Sequence, residues 1–118
     1  MNDREKFRYD LEGYLVVPGF LTEAEVDALN AAFDANRHRM KEDGNSSTGN
    51  SRTLVGTHRR GLFDGMLAWE KPWCDPFRDL LAHPKAIPYL ETILGRGFRM
   101  DHSPFALFAD RESEGLIL

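Results

Sequence analysis

The first apolar residues of the chain form a cluster with no helical period. Phe7 and Tyr9 lead into Gly13-Tyr14-Leu15-Val16-Val17, a run rich in aromatic and β-branched residues, and Pro18-Gly19 closes it. Runs of this composition that end in a proline and glycine pair are typical of a short strand followed by a turn. The pattern therefore predicts a strand over residues 13–17.

A helical period replaces this cluster directly after the turn. Thr22 and Glu25 have the three-residue spacing of a capping box, in which each side chain bonds the backbone N–H of the other residue. The apolar residues that follow recur every three or four positions, which is the period of one helix face: Val26, Leu29, Ala32 and Phe33. We expect a helix that begins after Thr22, fades near Arg39 to Lys41 and places this face in the core.

The middle of the chain is less regular. The polar stretch from Lys41 to Ser51 has no apolar anchor and predicts a loop. Beyond it, His58, Arg59 and Arg60 form a compact basic group. Such a group either binds an anion or lies solvated beside carboxylates, and the sequence leaves both interpretations open.

Two short helices are predicted in series after a pair of tryptophans, Trp69 and Trp73, that we assign to the core. Asp75-Pro76 has the form of an N-cap followed by a proline in the first turn, and this helix has to end before His83-Pro84. The second helix opens at Pro84 and ends at Gly95. Pro88 lies inside it and predicts a bend, because proline removes a helical hydrogen bond.

After Gly97 the period of the apolar residues falls to two. The alternation predicts a strand over residues 98–108, a charged turn over 110–115 and a further strand that begins at residue 116. Helices followed by strands indicate an α+β fold in a single domain over residues 1–118.

The predicted strand carries the candidate pocket residues. Arg99 and Asp101 share one face of such a strand and His102 takes the other. We expect all three at a substrate or cosubstrate pocket, Arg99 and Asp101 as pocket or rim groups and His102 as a lining or hydrogen-bonded strand residue. A surface salt bridge is the alternative. Adjacent residues point to opposite faces, which argues against a metal shared by Asp101 and His102.

Composition narrows the class of protein. The chain has 118 residues, 42% of them hydrophobic and 29% charged, which fits one globular domain. Its formal charge of -4 gives no basic footprint for nucleic acid or anionic lipid, so we expect neither partner. No apolar run is long enough to span a bilayer, and the N-terminal residues lack the apolar core of a signal peptide, so we expect a cytoplasmic location. The single cysteine, Cys74, indicates a buried thiol and no metal framework.

Three segments together carry a resemblance to a known family. In order, they are LEGYLVVPGFLTEAEVDAL, WCDPFRDLLAHPKAIPYLETILG and FRMDHSPFALF. At this separation they resemble the N-terminal part of the phytanoyl-CoA dioxygenase family, and the resemblance extends from about residue 7 to residue 118. It implies an N-terminal helical segment and the first strands of a double-stranded β-helix, a jelly-roll or cupin-like core. It also implies that the parent protein binds non-haem Fe(II) and 2-oxoglutarate and hydroxylates a small organic or acyl substrate.

The iron site implied by this resemblance uses two histidines and a carboxylate, with the first histidine and the carboxylate one residue apart. The residues found two positions after the four histidines are Met40, Arg60, Lys85 and Pro104, none of them acidic. We therefore assign no catalytic and no metal-ligating residue, and expect the chain alone to hold neither iron nor 2-oxoglutarate. The chain is expected to be an incomplete, N-terminal part of a longer oxygenase domain.

A second hypothesis belongs to a different class. The chain is then a small non-enzymatic α+β interaction domain whose basic group, residues 58–60, docks an acidic partner. The coding sequence that follows Leu118 distinguishes the two, because the oxygenase requires a His-x-Asp or His-x-Glu motif there.

Overall fold

The computed structural model describes residues 1–42 and 52–115, and over these residues the protein has an α+β fold. Its four α-helices are α1 (Asp3–Glu12), α2 (Glu23–Ala35), α3 (Asp75–Leu81) and α4 (Ile87–Leu94). Short 3₁₀ turns occupy Arg37–Arg39 and Met66–Ala68. The strands β1 (Lys41–Glu42), β2 (Gly61–Asp64) and β3 (Phe105–Phe108) pair antiparallel in the order β1-β2-β3. The predicted α+β class is therefore confirmed.

The strand predicted near the N terminus is wrong. Phe7 and Tyr9 belong to α1, and residues 14–17 have no regular secondary structure and take no part in the described sheet. A second capping box begins α1, since Glu5 N–H donates to Asn2 Oδ1 at 2.9 Å and Asn2 N–H donates to the Glu5 carboxylate at 2.8 Å. Gly13 ends the helix with a φ of 78°, a left-handed conformation that favours glycine.

The apolar residues of this segment pack against a helix instead of a strand. Leu15 and Val17 line a cavity of about 250 Å³ together with Tyr89 and Ile93 of α4. The Tyr89 hydroxyl also donates to Glu5 Oε1 at 2.9 Å, which joins the starts of α1 and α4. The half-buried position of Leu15 and Val17 beside α4 therefore takes the place of the expected strand pairing.

The start of α2 is confirmed. Glu25 N–H donates to Thr22 Oγ1 at 3.3 Å, and Thr22 N–H donates to the Glu25 carboxylate at 2.7 Å. The helix ends at Ala35, earlier than the predicted Arg39 to Lys41, and a 3₁₀ turn leads into β1. The rest of the predicted loop, residues 43–51, and the strand predicted from residue 116 lie outside the described residues.

His83 ties the start of α2 to the loop between α3 and α4. Its side chain is buried, with the residue 5% exposed. Nδ1 accepts from Lys85 N–H at 3.2 Å, so Nε2 carries the ring proton and donates to Glu25 Oε1 at 3.1 Å. The Phe20 ring lies 4.9 Å from the imidazole, measured between centroids. These contacts fix the turn before α2 against the loop after α3.

Glu25 gives a prediction about pH. The backbone N–H of Thr22, then its hydroxyl, then His83 lower the pKa of Glu25 from 4.5 to about 2. Because the folded-state pKa is the lower one, the stability that the carboxylate contributes is present above its unfolded pKa and is lost as the pH falls toward 2. We expect Glu25→Gln, which keeps a side-chain acceptor, to remove this part of the pH dependence. Urea unfolding of both proteins at about pH 6 and about pH 3 measures it, and an equal loss of stability in both would contradict the assignment.

The helices α3 and α4 occupy the predicted region with shifted starts. Asp75 was predicted as the N-cap of α3, but it is the first helical residue, and Cys74 holds the N-cap position. The helix ends before His83 as expected. α4 begins at Ile87, which places Pro88 in the first turn. Proline fits a first turn without loss of a helical hydrogen bond, so the predicted bend at Pro88 is wrong. No helix in the described part of the chain is both long enough and apolar enough to cross a membrane.

An aromatic core lies between α2, α3 and β2. Its buried residues are Ala32, Phe63, Met66, Trp69, Cys74 and Phe77. Phe33 packs against this cluster from α2, and its ring centroid lies 5.1 Å from those of Phe63, Phe77 and Phe108. The core positions predicted for Trp69 and Cys74 are confirmed, whereas Val26 is 41% exposed and does not belong to the core.

The sheet is smaller than the sequence pattern suggests. Of the strand predicted over residues 98–108, only β3 forms, and residues 98–104 are a connection from α4. β2 pairs with β3 in a register that sets Phe63 opposite Ala106 and Gly61 opposite Phe108. The apolar side chain of Phe63 turns into the core, so the sheet lies against Phe33 of α2 through Phe63 of β2 and through Phe108 of β3.

Candidate functional site

The basic group predicted at residues 58–60 is divided by the fold. His58 and Arg59 line a cavity of about 270 Å³ together with Arg37, which follows α2. We call this cavity the basic pocket. Its lining is completed by Met40, Gly61, Phe108, Ala109, Asp110 and Ser113. Arg60 does not line it, because this residue is buried, 4% exposed, directly before β2.

Two loops are joined at the rim of the basic pocket. Backbone hydrogen bonds of 2.8 to 3.0 Å connect residues 54–58 with residues 112–115, and His58 and Ser113 form a parallel bridge. Gly56 allows this approach, since a side chain there would collide with backbone atoms of Ser113 and Glu114. Gly56 lets the two loops come close together, and the backbone hydrogen bonds between residues 54–58 and 112–115, which we call the ladder, then hold His58 at the rim of the pocket.

His58 is the centre of a polar network. Its Nε2 lies 3.0 Å from Asp110 Oδ1 and 3.2 Å from Ser113 Oγ, while Nδ1 lies 3.1 Å from Thr57 Oγ1. A serine hydrolase triad uses one ring nitrogen for the aspartate and the other for the serine. Here Asp110 and Ser113 share Nε2, so Ser113 does not occupy the place of the nucleophile in such a triad.

Asp110 is held ionised by its own turn. Its Oδ1 accepts from the N–H groups of Glu112 and Ser113, each at 3.0 Å. The Glu112 N–H, followed by the Ser113 side chain, holds the pKa of Asp110 below its usual range. The lining of the basic pocket thus combines two arginines with this carboxylate, and Asp34 lies beside it, with its Oδ1 3.9 Å from Arg37 Nη1.

The second predicted group lies in the connection from α4 to β3. His102 Nδ1 is 2.6 Å from Asp101 Oδ1, and both side chains are exposed. The hydrogen bond from His102 lowers the pKa of Asp101. Because residues 98–104 do not form a strand, the predicted alternation of faces is wrong there, and these adjacent side chains turn toward each other.

Arg99 is placed differently from its two neighbours. It lines a largely apolar cavity of about 470 Å³ beside α3 and α4, with Leu80, Leu94 and Met100 among the other lining residues. Asp101 and His102 do not line this cavity. The structure thus separates Arg99 from the exposed pair, and a pocket role for the three residues stays a prediction.

Sequence reasoning missed the other three polar residues of the basic pocket, Arg37, Asp110 and Ser113. A signal existed for Asp110 and Ser113, because an aspartate followed by a serine in a charged turn is typical of a turn closed by side-chain hydrogen bonds. Arg37 offers no such signal. It lies where the sequence pattern predicts that the helix after Thr22 continues, and its place in the basic pocket depends on how the chain folds after α2.

The described residues do not form a metal centre. Over residues 1–42 and 52–115, no three His, Cys, Asp or Glu side chains lie close enough together to hold a metal ion. The contact between His58 and Asp110 provides two such groups, and they are engaged with each other. This donor set does not fit a centre of two histidines and one carboxylate.

A comparison with protein families matches residues 9–103 to phytanoyl-CoA dioxygenase (PhyH). The chain belongs to the phytanoyl-CoA dioxygenase family. The resemblance inferred from three sequence segments is confirmed. Comparisons with curated proteins and with solved structures give no match.

Family membership indicates a dioxygenase-type function. Phytanoyl-CoA dioxygenases generally depend on Fe(II) and 2-oxoglutarate, and their fold is cupin-like. The matched range contains Arg37, His58 and Arg59 but ends before β3 and before Asp110. One half of the basic pocket therefore lies within the phytanoyl-CoA dioxygenase match, and the loop that closes it does not.

Proposed function

We propose that this chain forms the N-terminal part of an Fe(II)/2-oxoglutarate-dependent oxygenase that hydroxylates a small organic or acyl substrate. The observation that carries the proposal is the phytanoyl-CoA dioxygenase match over residues 9–103. The proposed enzyme acts on a small molecule in the cytoplasm, and the formal charge of -4 supports this partner over nucleic acid or anionic lipid.

The sheet supports this role. β3 is an edge strand of the described sheet, and its apolar residues Phe105, Leu107 and Phe108 are exposed, Phe105 to 57%. An exposed apolar edge is a site for pairing with further strands. In the proposal these are strands of a double-stranded β-helix, and the core between α2 and α3 supports the sheet from behind.

The iron ligands have to come from residues outside these 118. The sequence has no histidine with an acidic residue two positions later, and the described residues do not bring three suitable donors together. In this proposal, the chain supports the catalytic core and provides part of the lining of the pocket. We propose Arg99 at its apolar cavity, with Asp101 and His102 at the rim, as the groups that face substrate or cosubstrate.

The coding sequence beyond Leu118 tests the proposal first. We expect a His-x-Asp or His-x-Glu motif, followed much later by a histidine and an arginine. The protein encoded by the whole gene should then convert 2-oxoglutarate to succinate with added Fe(II), and alanine in place of the first motif histidine should abolish the conversion. A stop codon directly after Leu118, or no succinate from the whole protein, would overturn it.

The chain of 118 residues is the matched control in the same assay. Because its residues do not fit an iron centre, we expect succinate formation no greater than in a reaction without protein. Conversion above that level would contradict the assignment of the ligands to residues outside the chain.

A non-enzymatic interaction domain is the second candidate function. The basic pocket favours it, since Arg37 and Arg59 meet there although they come from separate segments of an acidic chain. A gene that ends at Leu118 would favour this alternative.

A further inference from the structure

We propose that the basic pocket binds an oxyanion, the phosphate or carboxylate group of a small ligand. The inference concerns a site distinct from the proposed iron chemistry, and it holds whether or not the chain is part of an oxygenase. Its ligand groups are the guanidinium groups of Arg37 and Arg59, and His58 lines the same cavity.

Two guanidinium groups give the basic pocket its chemistry. Arginine presents a planar fork of N–H donors that matches the geometry of phosphate and carboxylate oxygens, and such charge-assisted bonds are stronger than neutral ones. Arg37 comes from the turn after α2 and Arg59 from the loop before β2, so the two donors approach from different segments. The imidazole of His58 adds a third polar group at the same cavity.

The sheet and a hydrogen-bonded loop form part of the cavity wall. Gly61 of β2 and Phe108 of β3 are paired in the sheet, and both line the basic pocket. A side chain at Gly61 would run into the Met40 thioether, so the glycine also sets the position of Met40 in the lining. The loop that carries Asp110 is fixed by its own hydrogen bonds and by the ladder to residues 54–58.

The volume limits the size of the ligand. Pockets for drug-sized molecules typically measure about 300 to 1,000 Å³, and the basic pocket measures about 270 Å³. It has room for a phosphate or carboxylate with a short organic remainder. The carboxylate of Asp110 lies in the same lining and opposes the binding of a second anion. Removal of its charge should therefore strengthen binding.

Calorimetric titration of the 118-residue chain with inorganic phosphate and with malonate, at constant ionic strength set by chloride, tests the proposal. We expect saturable binding of at least one of the two anions, and a comparison of the two identifies the preferred group. Arg59→Gln and Arg37→Gln should each weaken binding by about tenfold. Arg8→Gln, which removes the same charge from an exposed position on α1, should leave binding unchanged.

Two further variants distinguish a loss of the binding site from a loss of folding, because each is expected to bind the anion more tightly than the protein with which it is compared. Asp110→Asn retains the oxygen that accepts from Glu112 and Ser113 but removes the charge, so binding should become several-fold tighter. Arg59→Lys keeps the charge without the fork and should bind more tightly than Arg59→Gln. Absence of saturable binding of both anions by the wild-type chain would overturn the proposal. Equal weakening by Arg8→Gln and Arg59→Gln would overturn it as well.

Discussion

Replacing Phe33 by alanine should lower the free energy of unfolding by about 3 kcal/mol, the low end of the cost of deleting an aromatic ring from a core, because this ring is half-buried against the core cluster. The ring joins helix α2 to the sheet and to α3. Its centroid lies 5.1 Å from the rings of Phe63, Phe77 and Phe108, and 6.1 Å from Trp69. Alanine would leave a cavity that four rigid aromatic neighbours cannot fill by small movements.

Two variants of the same helix serve as controls for Phe33→Ala. Thr22→Ala removes the helix cap and should cost about 1 kcal/mol. Val26→Ala truncates an exposed side chain of α2 and should cost less than Phe33→Ala. Equilibrium denaturation with urea measures all three. A Phe33→Ala protein as stable as Thr22→Ala would refute the central place of this ring in the core.

The features that could be predicted from sequence are those determined within a few residues. The cap at Thr22 and Glu25 is formed by two side chains and two backbone N–H groups of one turn, so its spacing was sufficient evidence. The stop of α3 before His83-Pro84 has the same local origin. The cap of α1, Asn2 with Glu5, carried the same signal and was missed.

The strands could not be predicted in this way, because a strand exists only where a partner pairs with it. Residues 98–104 alternate between apolar and polar side chains yet do not form a strand. Lys41 and Glu42, in contrast, have no apolar character, and they pair with Leu62 and Gly61 as β1. In both segments, whether a strand forms depends on pairing with residues far away in the sequence.

The residues of the basic pocket also differ in whether local sequence or distant parts of the fold determine their position. His58 and Arg59 are neighbours in sequence and were identified together, whereas Arg60, which belongs to the same run, is buried before β2. Arg37 and Asp110 reach the cavity only through the fold. A contiguous basic run therefore indicated where charge is concentrated but not which of its side chains share a cavity.

Replacing Gly56 by alanine should destabilise the chain by about 1 to 3 kcal/mol, the usual cost of extra atoms in a closely packed place. The new methyl group would lie 2.5 Å from Glu112 O and closer still to backbone atoms of Ser113 and Glu114. Backbone atoms cannot turn aside as a side chain does, so the ladder between residues 54–58 and 112–115 has to open. The rim of the basic pocket opens with it, and we expect the binding of phosphate or malonate to weaken together with the stability.

Gly61→Ala is the matched control for Gly56→Ala, since it adds the same methyl group beside the same cavity. There the three atoms nearest to the new methyl group are Sδ, Cγ and Cε of Met40, the flexible end of a side chain that can adopt another rotamer. We therefore expect Gly61→Ala to cost less stability than Gly56→Ala. Urea unfolding compares the two, and hydrogen exchange of the Thr57 and Glu114 amides reports on the ladder directly. If these amides exchange at the wild-type rate in Gly56→Ala, or if Gly61→Ala is the less stable variant, the close approach at Gly56 does not hold the two loops together.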